Sequence, residues 1–213
     1  KEINMLGISS IGFVSFISIF VGAVVTLQVA YNLENPLLPT YLIGLSSRDS
    51  LILEFSPTMI SLILAGKIGS HIASSLGTMR VTEQIDALEV MGINTYNYLI
   101  FPKIIALLLY PFVITFSMFL GVFGGYIASV YGGFCSSALF IEGIQIDFIP
   151  FHIQYAFIKT VIFSFLLATI PAYHGYYLKG GALQVGKAST TSFVWTSVVI
   201  IFVNYIITQI LLV

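Results

Sequence analysis

Long uninterrupted stretches of apolar residues are the feature of this sequence that most restricts its fold. The chain has 213 residues, of which 58% are hydrophobic and 8% charged. Soluble domains carry about 25% charged residues, so most of this surface must face lipid. The apolar stretches are continuous, whereas the strands of membrane β-barrels alternate between polar and apolar residues. The sequence therefore predicts an all-α integral membrane protein.

Five stretches reach the roughly 20 residues that a membrane-spanning helix needs. They predict one transmembrane domain over residues 1–213, with spans at 8–30, 51–74, 104–130, 151–173 and 193–213. The connection at 31–50 is predicted to be a loop with room for a short helix. The two halves of the chain show no inverted repeat of the kind found in many secondary transporters.

The basic residues predict how the chain is oriented in the membrane. Cytoplasmic connections are enriched in Lys and Arg. Two connections, 77–103 and 174–192, contain Arg80, Lys103, Lys179 and Lys187. The other two connections hold Arg48 and four acids. We therefore expect a cytoplasmic N-terminus and a C-terminus on the opposite side.

Small residues recur at four-residue spacing in two of the predicted spans. The second span contains Ala65, Gly69, Ala73 and Gly77, and the third span and its end contain Gly121, Gly125, Ser129 and Gly133. Such stripes let helix backbones approach closely. They serve either packing within the chain or an interface that slides or forms a dimer.

Three charged residues lie inside predicted spans, where a charge is costly. Glu54 is near the outer end of the second span, and Pro57 follows it and frees a backbone carbonyl. Lys67 lies deeper in the same span and Lys159 lies in the fourth. Each either forms a structural pair, extends to the interface or contributes a polar lining to a substrate cavity.

One short segment, "GTMRVTEQIDALEVMGINTYNYLIFPK" at 77–103, carries five charged residues. Thr82 is a suitable N-cap, and Gly92 with Asn94 a suitable C-cap, for a helix over 82–91. Such a helix is too short to span a membrane. Its apolar residues Val81, Ile85 and Leu88 share one face, and its acids Glu83, Asp86 and Glu89 share another.

The acidic face is unusual for a helix at a membrane surface. Peripheral membrane helices are usually basic, because they contact anionic headgroups. A row of acids on a capped helix fits a basic groove on a partner protein. A solvated loop helix is the alternative.

The string "GTMRVTEQIDALEVMGIN" (77–94), preceded by "LAGKIGSHIASS", resembles the signature of MlaE-type permeases. The strings "LEFSP", "FPKIIA", "GVFGGY" and "KGGALQVGKASTTS" also resemble landmarks of this family. The chain departs from the pattern at three positions. Leu53 and Lys67 stand where many members have Arg, and Ser75 stands where many have an acid. No role that needs a carboxylate at position 75 carries over.

The resemblance implies the membrane subunit of an ABC transporter that moves phospholipids between the inner and outer membranes of a Gram-negative cell. It implies a homodimer in the inner membrane, with a cytoplasmic ATPase and a periplasmic MCE-domain protein as partners. It also implies an N-terminal interfacial helix upstream of, or partly at, residue 1. The segment 82–91 would be the coupling helix, and the residues expected to contact the ATPase are Thr82, Glu83, Gln84, Asp86 and Glu89.

The chain lacks a Walker A string and a credible nucleophile–base set. We therefore expect a non-catalytic subunit that binds no cofactor or metal, with ATP and Mg²⁺ on the partner ATPase. The residues expected to line an outward-facing lipid cavity are Leu27, Tyr31, Glu54, Phe55, Pro57 and Met59. The alternative functions are an ATP-independent secondary transporter or channel, and a scaffold that only anchors other subunits.

Overall fold

The computed structural model describes residues 2–33 and 38–212, and this part of the chain contains helices and no β-strand. Its α-helices are α1 Ser9–Asn32, α2 Tyr41–Ser50, α3 Ile60–Leu64, α4 Ser70–Val81, α5 Gln84–Val90, α6 Phe101–Leu107, α7 Tyr110–Tyr131, α8 Ser137–Gln145, α9 Pro150–Tyr176 and α10 Ala182–Leu212. Its π-helical stretches are Ile3–Ile8, Leu51–Met59, Ala65–Gly69 and Tyr96–Ile100. The predicted all-α fold class is confirmed.

Five continuous helical segments are long and apolar enough to cross a membrane, as the sequence predicted. They are Leu6–Asn32, Tyr41–Val81, Tyr96–Tyr131, Pro150–Tyr176 and Ala182–Leu212. Most of them extend beyond the predicted bounds, because polar residues continue a helix past its apolar part without interrupting the backbone hydrogen bonds. The predicted end of the fifth span, Val213, lies outside the described residues.

The connection at 31–50, predicted as a loop with room for a short helix, is helical over half its length. α2 occupies Tyr41–Ser50 and continues directly into the second span. Its sequence is only weakly apolar, but it packs closely against α8. A Cβ atom added at Gly143 would overlap the carbonyl oxygen of Tyr41, and one at Gly44 would lie 2.5 Å from the carbonyl oxygen of Phe140. This tertiary contact stabilises a helix that the apolar pattern does not predict.

The described residues group into two compact units. Unit 1 comprises 2–9, 61–111 and 159–212, and unit 2 comprises 10–33, 38–60 and 112–158.

Unit 2 contains a close contact between α1 and α7. A side chain at Gly22 would overlap the carbonyl of Gly121, and a side chain at Gly124 would overlap the carbonyl of Ile19. The glycines therefore allow the two helix backbones to touch. The glycine stripe of the third span serves packing within the chain.

Unit 1 contains a close contact between the second span and α9. A Cβ atom at Gly69 would lie 3.2 Å from the Pro171 ring of α9, and one at Gly175 would lie 2.6 Å from the carbonyl oxygen of Ala73. Ala65 and Ala73 are fully buried. This stripe also packs within the chain.

The second span departs from α-helical geometry twice, at Leu51–Met59 and Ala65–Gly69. Pro57 lies inside the first π-helical stretch and is buried. Proline has no backbone N–H and clashes with the preceding turn, and a wider turn is one way a helix accommodates it. The sequence predicted a loosened turn at this residue, and the structure agrees.

Candidate coupling site and intramembrane charges

The short helix predicted at 82–91 is present as α5, Gln84–Val90. Thr82 is not its N-cap, contrary to the prediction. The Thr82 hydroxyl donates a hydrogen bond to the Thr78 carbonyl at 2.8 Å and so belongs to the end of α4. Glu83 takes the N-cap position with a left-handed φ of 59°. A turn of two residues therefore redirects the chain from the second span into α5.

The end of α5 is defined by Gly92, as the sequence predicted. Gly92 has a φ of +77°, its N–H donates to Glu89 at 2.9 Å, and the N–H of Ile93 donates to Leu88 at 3.0 Å. This pattern is the Schellman motif, in which glycine accepts the left-handed conformation without a steric penalty. Asn94 acts elsewhere, because its side chain accepts a hydrogen bond from the N–H of Asn97.

Two of the three predicted acidic positions are engaged within the chain. Asp86 forms an ion pair with Arg80 of α4 at 2.7 Å. Glu89 accepts a hydrogen bond from the hydroxyl of Tyr176, the last residue of α9, at 2.9 Å. The Thr95 hydroxyl lies 2.7 Å from the same Tyr176 oxygen and 3.3 Å from Glu89.

The contact of the buried Tyr176 and Thr95 with the exposed Glu89 joins α5 to the fourth span. Tyr176 is 5% exposed and Thr95 is 2% exposed. Beside it, the hydroxyls of Tyr96 and Tyr177 lie 2.9 Å apart, and this hydrogen bond raises the pKa of Tyr177. Tyr176, which holds α5 in place, was not singled out from the sequence. Residues 87 positions apart leave no local pattern by which the contact could be found.

The other face of the segment is open. Ile85, one of the residues predicted to form the apolar face of this helix, is fully buried. Glu83 and Gln84 are exposed, and Val90 and Met91 are 89% and 65% exposed. The exposed surface of the segment therefore combines an acid, an amide and two apolar side chains, of which Val90 and Met91 were not among the predicted contacts.

Glu54 is hydrogen-bonded inside unit 2. It accepts from the hydroxyl of Tyr155 at 3.3 Å and from that of Thr58 at 3.3 Å. Tyr155 is fully buried on α9 and Glu54 is half-buried. A carboxylate so placed inside a span can orient neighbouring helices or contact a polar group in a cavity.

The other predicted cavity residues differ in exposure. Leu27, Tyr31 and Met59 are 38%, 74% and 44% exposed, whereas Phe55 is half-buried and Pro57 buried. All belong to unit 2. Their assignment to a lipid cavity remains a prediction.

The intramembrane lysines have different environments. The Lys67 ammonium donates to the carbonyl of Ser9 at 2.9 Å, which matches the expectation of a partner. Lys159 is 0% exposed, so its side chain does not extend to the interface. A further basic residue, Lys103, is 6% exposed and pairs with Glu2 at 3.0 Å. No local pattern in the sequence predicts that pair.

Comparison with known proteins decides the family. A family model described as "Permease MlaE" matches residues 1–210. The chain belongs to the MlaE permease family. It is 32% identical to a probable ABC transporter permease protein of Rickettsia bellii, covering 98% of this chain and 81% of that protein. It is 33% identical to the probable ABC transporter permease protein slr1045 of Synechocystis sp., covering 96% of this chain and 77% of that protein.

The chain is also similar to a plant protein. The chain is 30% identical to Protein TRIGALACTOSYLDIACYLGLYCEROL 1, chloroplastic, of Arabidopsis thaliana, over 98% of this chain and 60% of that protein. As an MlaE permease with five spans, the chain is a multi-pass membrane permease subunit. Its signature string, 77–94, forms the end of α4 and the whole of α5.

Proposed function

We propose that this MlaE permease is the non-catalytic membrane subunit of an ATP-driven ABC transporter that moves phospholipids between the inner and outer membranes. In this proposal two copies form the lipid cavity in the inner membrane. A cytoplasmic ATPase carries ATP and Mg²⁺, and a periplasmic MCE-domain protein exchanges lipid with the permease. The observation that carries the proposal is the geometry of α5, which is bonded to the fourth span on one side and exposed on the other.

The exposed side of α5 suits a protein partner. Glu83 and Gln84 offer a charge and a polar group, and Val90 and Met91 offer apolar area that water solvates poorly. A central apolar contact with a polar rim is the usual composition of a protein interface. We assign this surface to the ATPase, with Thr82, Asp86 and Glu89 positioning the helix behind it.

The bonded side of α5 provides a route for motion. A displacement of α5 acts on Tyr176 through Glu89. Tyr176 is the last residue of α9, the fourth span. In the proposed mechanism, ATP binding moves α5 as a rigid lever, and the Glu89–Tyr176 hydrogen bond passes this movement to the end of α9. Packed helices switch between discrete arrangements, so a small shift is sufficient.

Phospholipid as the substrate is supported by the apolar character of the predicted cavity residues. Leu27, Tyr31 and Met59 expose apolar area that acyl chains contact without directional bonds. The name of the Arabidopsis relative contains that of a glycerolipid. The orientation with a cytoplasmic N-terminus follows from the positions of Arg80, Lys103, Lys179 and Lys187.

The test is whether α5 binds the ATPase. The double variant Glu83→Lys with Val90→Asp changes the exposed surface and leaves the Asp86 and Glu89 contacts in place. We expect it to reach the membrane normally but to lose the ATPase on purification in mild detergent. The control is Glu142→Lys, an exposed charge reversal in α8 of unit 2. Unchanged co-purification of the ATPase with the double variant would refute the coupling role.

A further inference from the structure

An open groove lies where α9 ends and α10 begins. His174, Leu178, Lys179, Gln184, Lys187 and Thr191 line it. Three of these residues, Gln184, Lys187 and Thr191, recur at intervals of three and four and so share one face of α10. A second hollow on the neighbouring face is lined by Leu183, Gly186 and Thr190, and Lys187 and Thr191 border both hollows.

The groove holds positive charge without a counter-ion. Within the described ranges 2–33 and 38–212, no carboxylate oxygen lies within 4.0 Å of the ammonium of Lys179 or Lys187. By contrast, Arg48, Arg80 and Lys103 each form an ion pair. Among the described residues outside the apolar part of the spans, positive charge without an ion-pair partner is therefore concentrated at Lys179 and Lys187.

The polar side chains of the groove are also free to bind a ligand. Among described residues, Gln184 and Thr191 have no side-chain hydrogen bond to protein. An amide and a hydroxyl next to two ammonium groups match the acceptor oxygens of a phosphate group.

The surroundings of the groove place it at the edge of the membrane. Tyr173 and Tyr177 are 61% and 54% exposed, which is typical of aromatic side chains at a membrane interface. Leu183 is 78% exposed beside Lys187. The apolar stretch of the fifth span begins at Phe193, which puts Lys187 about 9 Å from it along the helix axis. The headgroup region is roughly 5–8 Å thick on each side, so Lys187 lies at its outer edge, and its long side chain can reach into it.

We propose that this groove binds the phosphate group of an anionic phospholipid in the adjoining leaflet. Lys179, Lys187, Gln184 and Thr191 contact the headgroup, and the first part of an acyl chain lies along Leu183 and Gly186. An apolar hollow next to the cationic groove favours a lipid over free phosphate, which has no apolar part. The site does not depend on the proposed transport activity. Only its assignment to the cytoplasmic leaflet rests on the proposed orientation.

The sequence provides an internal probe for this site. Trp195 is the single tryptophan, lies on α10 and is 54% exposed. It is about 12 Å from Lys187 along the helix axis, within reach of the acyl chains of a lipid bound at the groove. Acyl-brominated lipid quenches tryptophan fluorescence on contact. Quenching of Trp195 therefore reports which lipid occupies this side of α10.

The experiment uses the purified full chain, without ATPase, in phosphatidylcholine vesicles. Acyl-brominated phosphatidylglycerol or acyl-brominated phosphatidylcholine replaces part of the lipid. We expect the brominated phosphatidylglycerol to quench Trp195 at several-fold lower mole fraction. Lys179→Gln with Lys187→Gln should weaken this preference by about fivefold for each lysine removed. Lys179→Arg with Lys187→Arg should retain it, because the positive charges remain.

Several results would overturn the proposal. Equal quenching by both brominated lipids in the wild-type chain would show that no anionic-lipid site exists there, and this measurement needs no variant. An unchanged preference in the glutamine variant, with unchanged far-UV circular dichroism, would place the site elsewhere. Loss of the preference on adding millimolar inorganic phosphate at constant ionic strength would indicate a free-phosphate site. In a separate purification of the glutamine variant with the ATPase in mild detergent, loss of the ATPase together with unchanged quenching would indicate a protein-binding surface.

Discussion

The hydroxyl of Tyr176 donates a hydrogen bond to the carboxylate of Glu89 at 2.9 Å, joining the end of the fourth span to the short helix α5. Thr95 shares the same hydroxyl at 2.7 Å. Arg80, whose guanidinium carbon lies 6.0 Å from the centre of the Tyr176 ring, pairs with Asp86. α5 has only seven residues, too few to be stable alone in water. Its conformation is therefore held by these contacts, by its glycine C-cap and by the burial of Ile85.

Tyr176→Phe should loosen α5 without removing the ring from its packing. The lost hydrogen bond to a partly exposed carboxylate contributes about 1 kcal/mol, which corresponds to roughly fivefold faster amide exchange in a local opening reaction. Hydrogen–deuterium exchange of residues 84–93 measures it. Tyr177→Phe, which removes the exposed bond to Tyr96, is the control and should leave this exchange unchanged. Equal exchange in Tyr176→Phe and the wild-type chain would contradict the role of Glu89 as an anchor.

Gly22→Ala should destabilise unit 2. The added methyl group would overlap the carbonyl of Gly121, so α1 and α7 must separate. Forced separation of well-packed elements costs about 1–3 kcal/mol. Thermal unfolding in detergent checks this. The matched control is Gly12→Ala on the same helix, where an added Cβ meets nothing within 4 Å. We expect that control to be neutral or slightly stabilising, and a comparable loss in both variants would show that the close approach is not responsible.

Arg48→Met should also destabilise unit 2, through hydrogen bonds instead of packing. The Arg48 guanidinium donates to the carbonyls of Ile144 and Ile146 at 2.7 and 2.8 Å and pairs with Asp49. Arg48 is 3% exposed, so its removal leaves these acceptors unpaired and costs about 3 kcal/mol. The melting temperature measures the loss. Lys179→Met, at an exposed position, should change stability by no more than about 0.5 kcal/mol. A similar change in both variants would argue against the carbonyl contacts.

Cys135 should react slowly with maleimide. It is 7% exposed, and burial raises the pKa of its thiol above the ordinary value. The reactive thiolate is therefore scarce at neutral pH, and the labelling rate should keep rising above the pH at which a free thiol has levelled off. Quantitative labelling of the purified chain between pH 7 and pH 10 tests this. The comparison is the double variant Cys135→Ala with Tyr131→Cys, which places the thiol at an 87% exposed position shortly before Cys135 in the chain. Equal rates would show that Cys135 is accessible.

The five spans were predictable because a backbone surrounded by lipid can adopt few structures. An apolar stretch of sufficient length must satisfy its own N–H and C=O groups, and a helix does so locally. The position of α5 was predictable for a related reason. Gly92 marks a left-handed cap and Ile85 marks a buried face, and both signals lie within a few residues of the helix that they define.

The remaining features depend on contacts between distant residues. α2 and α8 are helices that stabilise each other, and neither has an apolar stretch long enough to reveal it. Thr82 fits the sequence pattern of an N-cap, but its hydroxyl donates a hydrogen bond to the Thr78 carbonyl of the preceding helix, α4. The Glu89–Tyr176 contact and the Lys103–Glu2 pair join residues that are far apart in the chain. Periodicity describes one helix at a time and carries no information about which helices meet.

The π-helical stretch around Pro57 has a consequence for how the second span tolerates change in length. A π-helical turn contains one residue more than an α-helical turn. Deleting one residue from Leu51–Met59 would allow an ordinary helix to form through this stretch. Because the wider turn holds the extra residue, the side chains before and after the deletion would keep roughly their present relative orientation. A deletion within the α-helical stretch Ser70–Val81 would instead rotate the two parts of the span by about 100° relative to each other. The second span therefore has one place where it can lose a residue without turning one of its faces away from its neighbours.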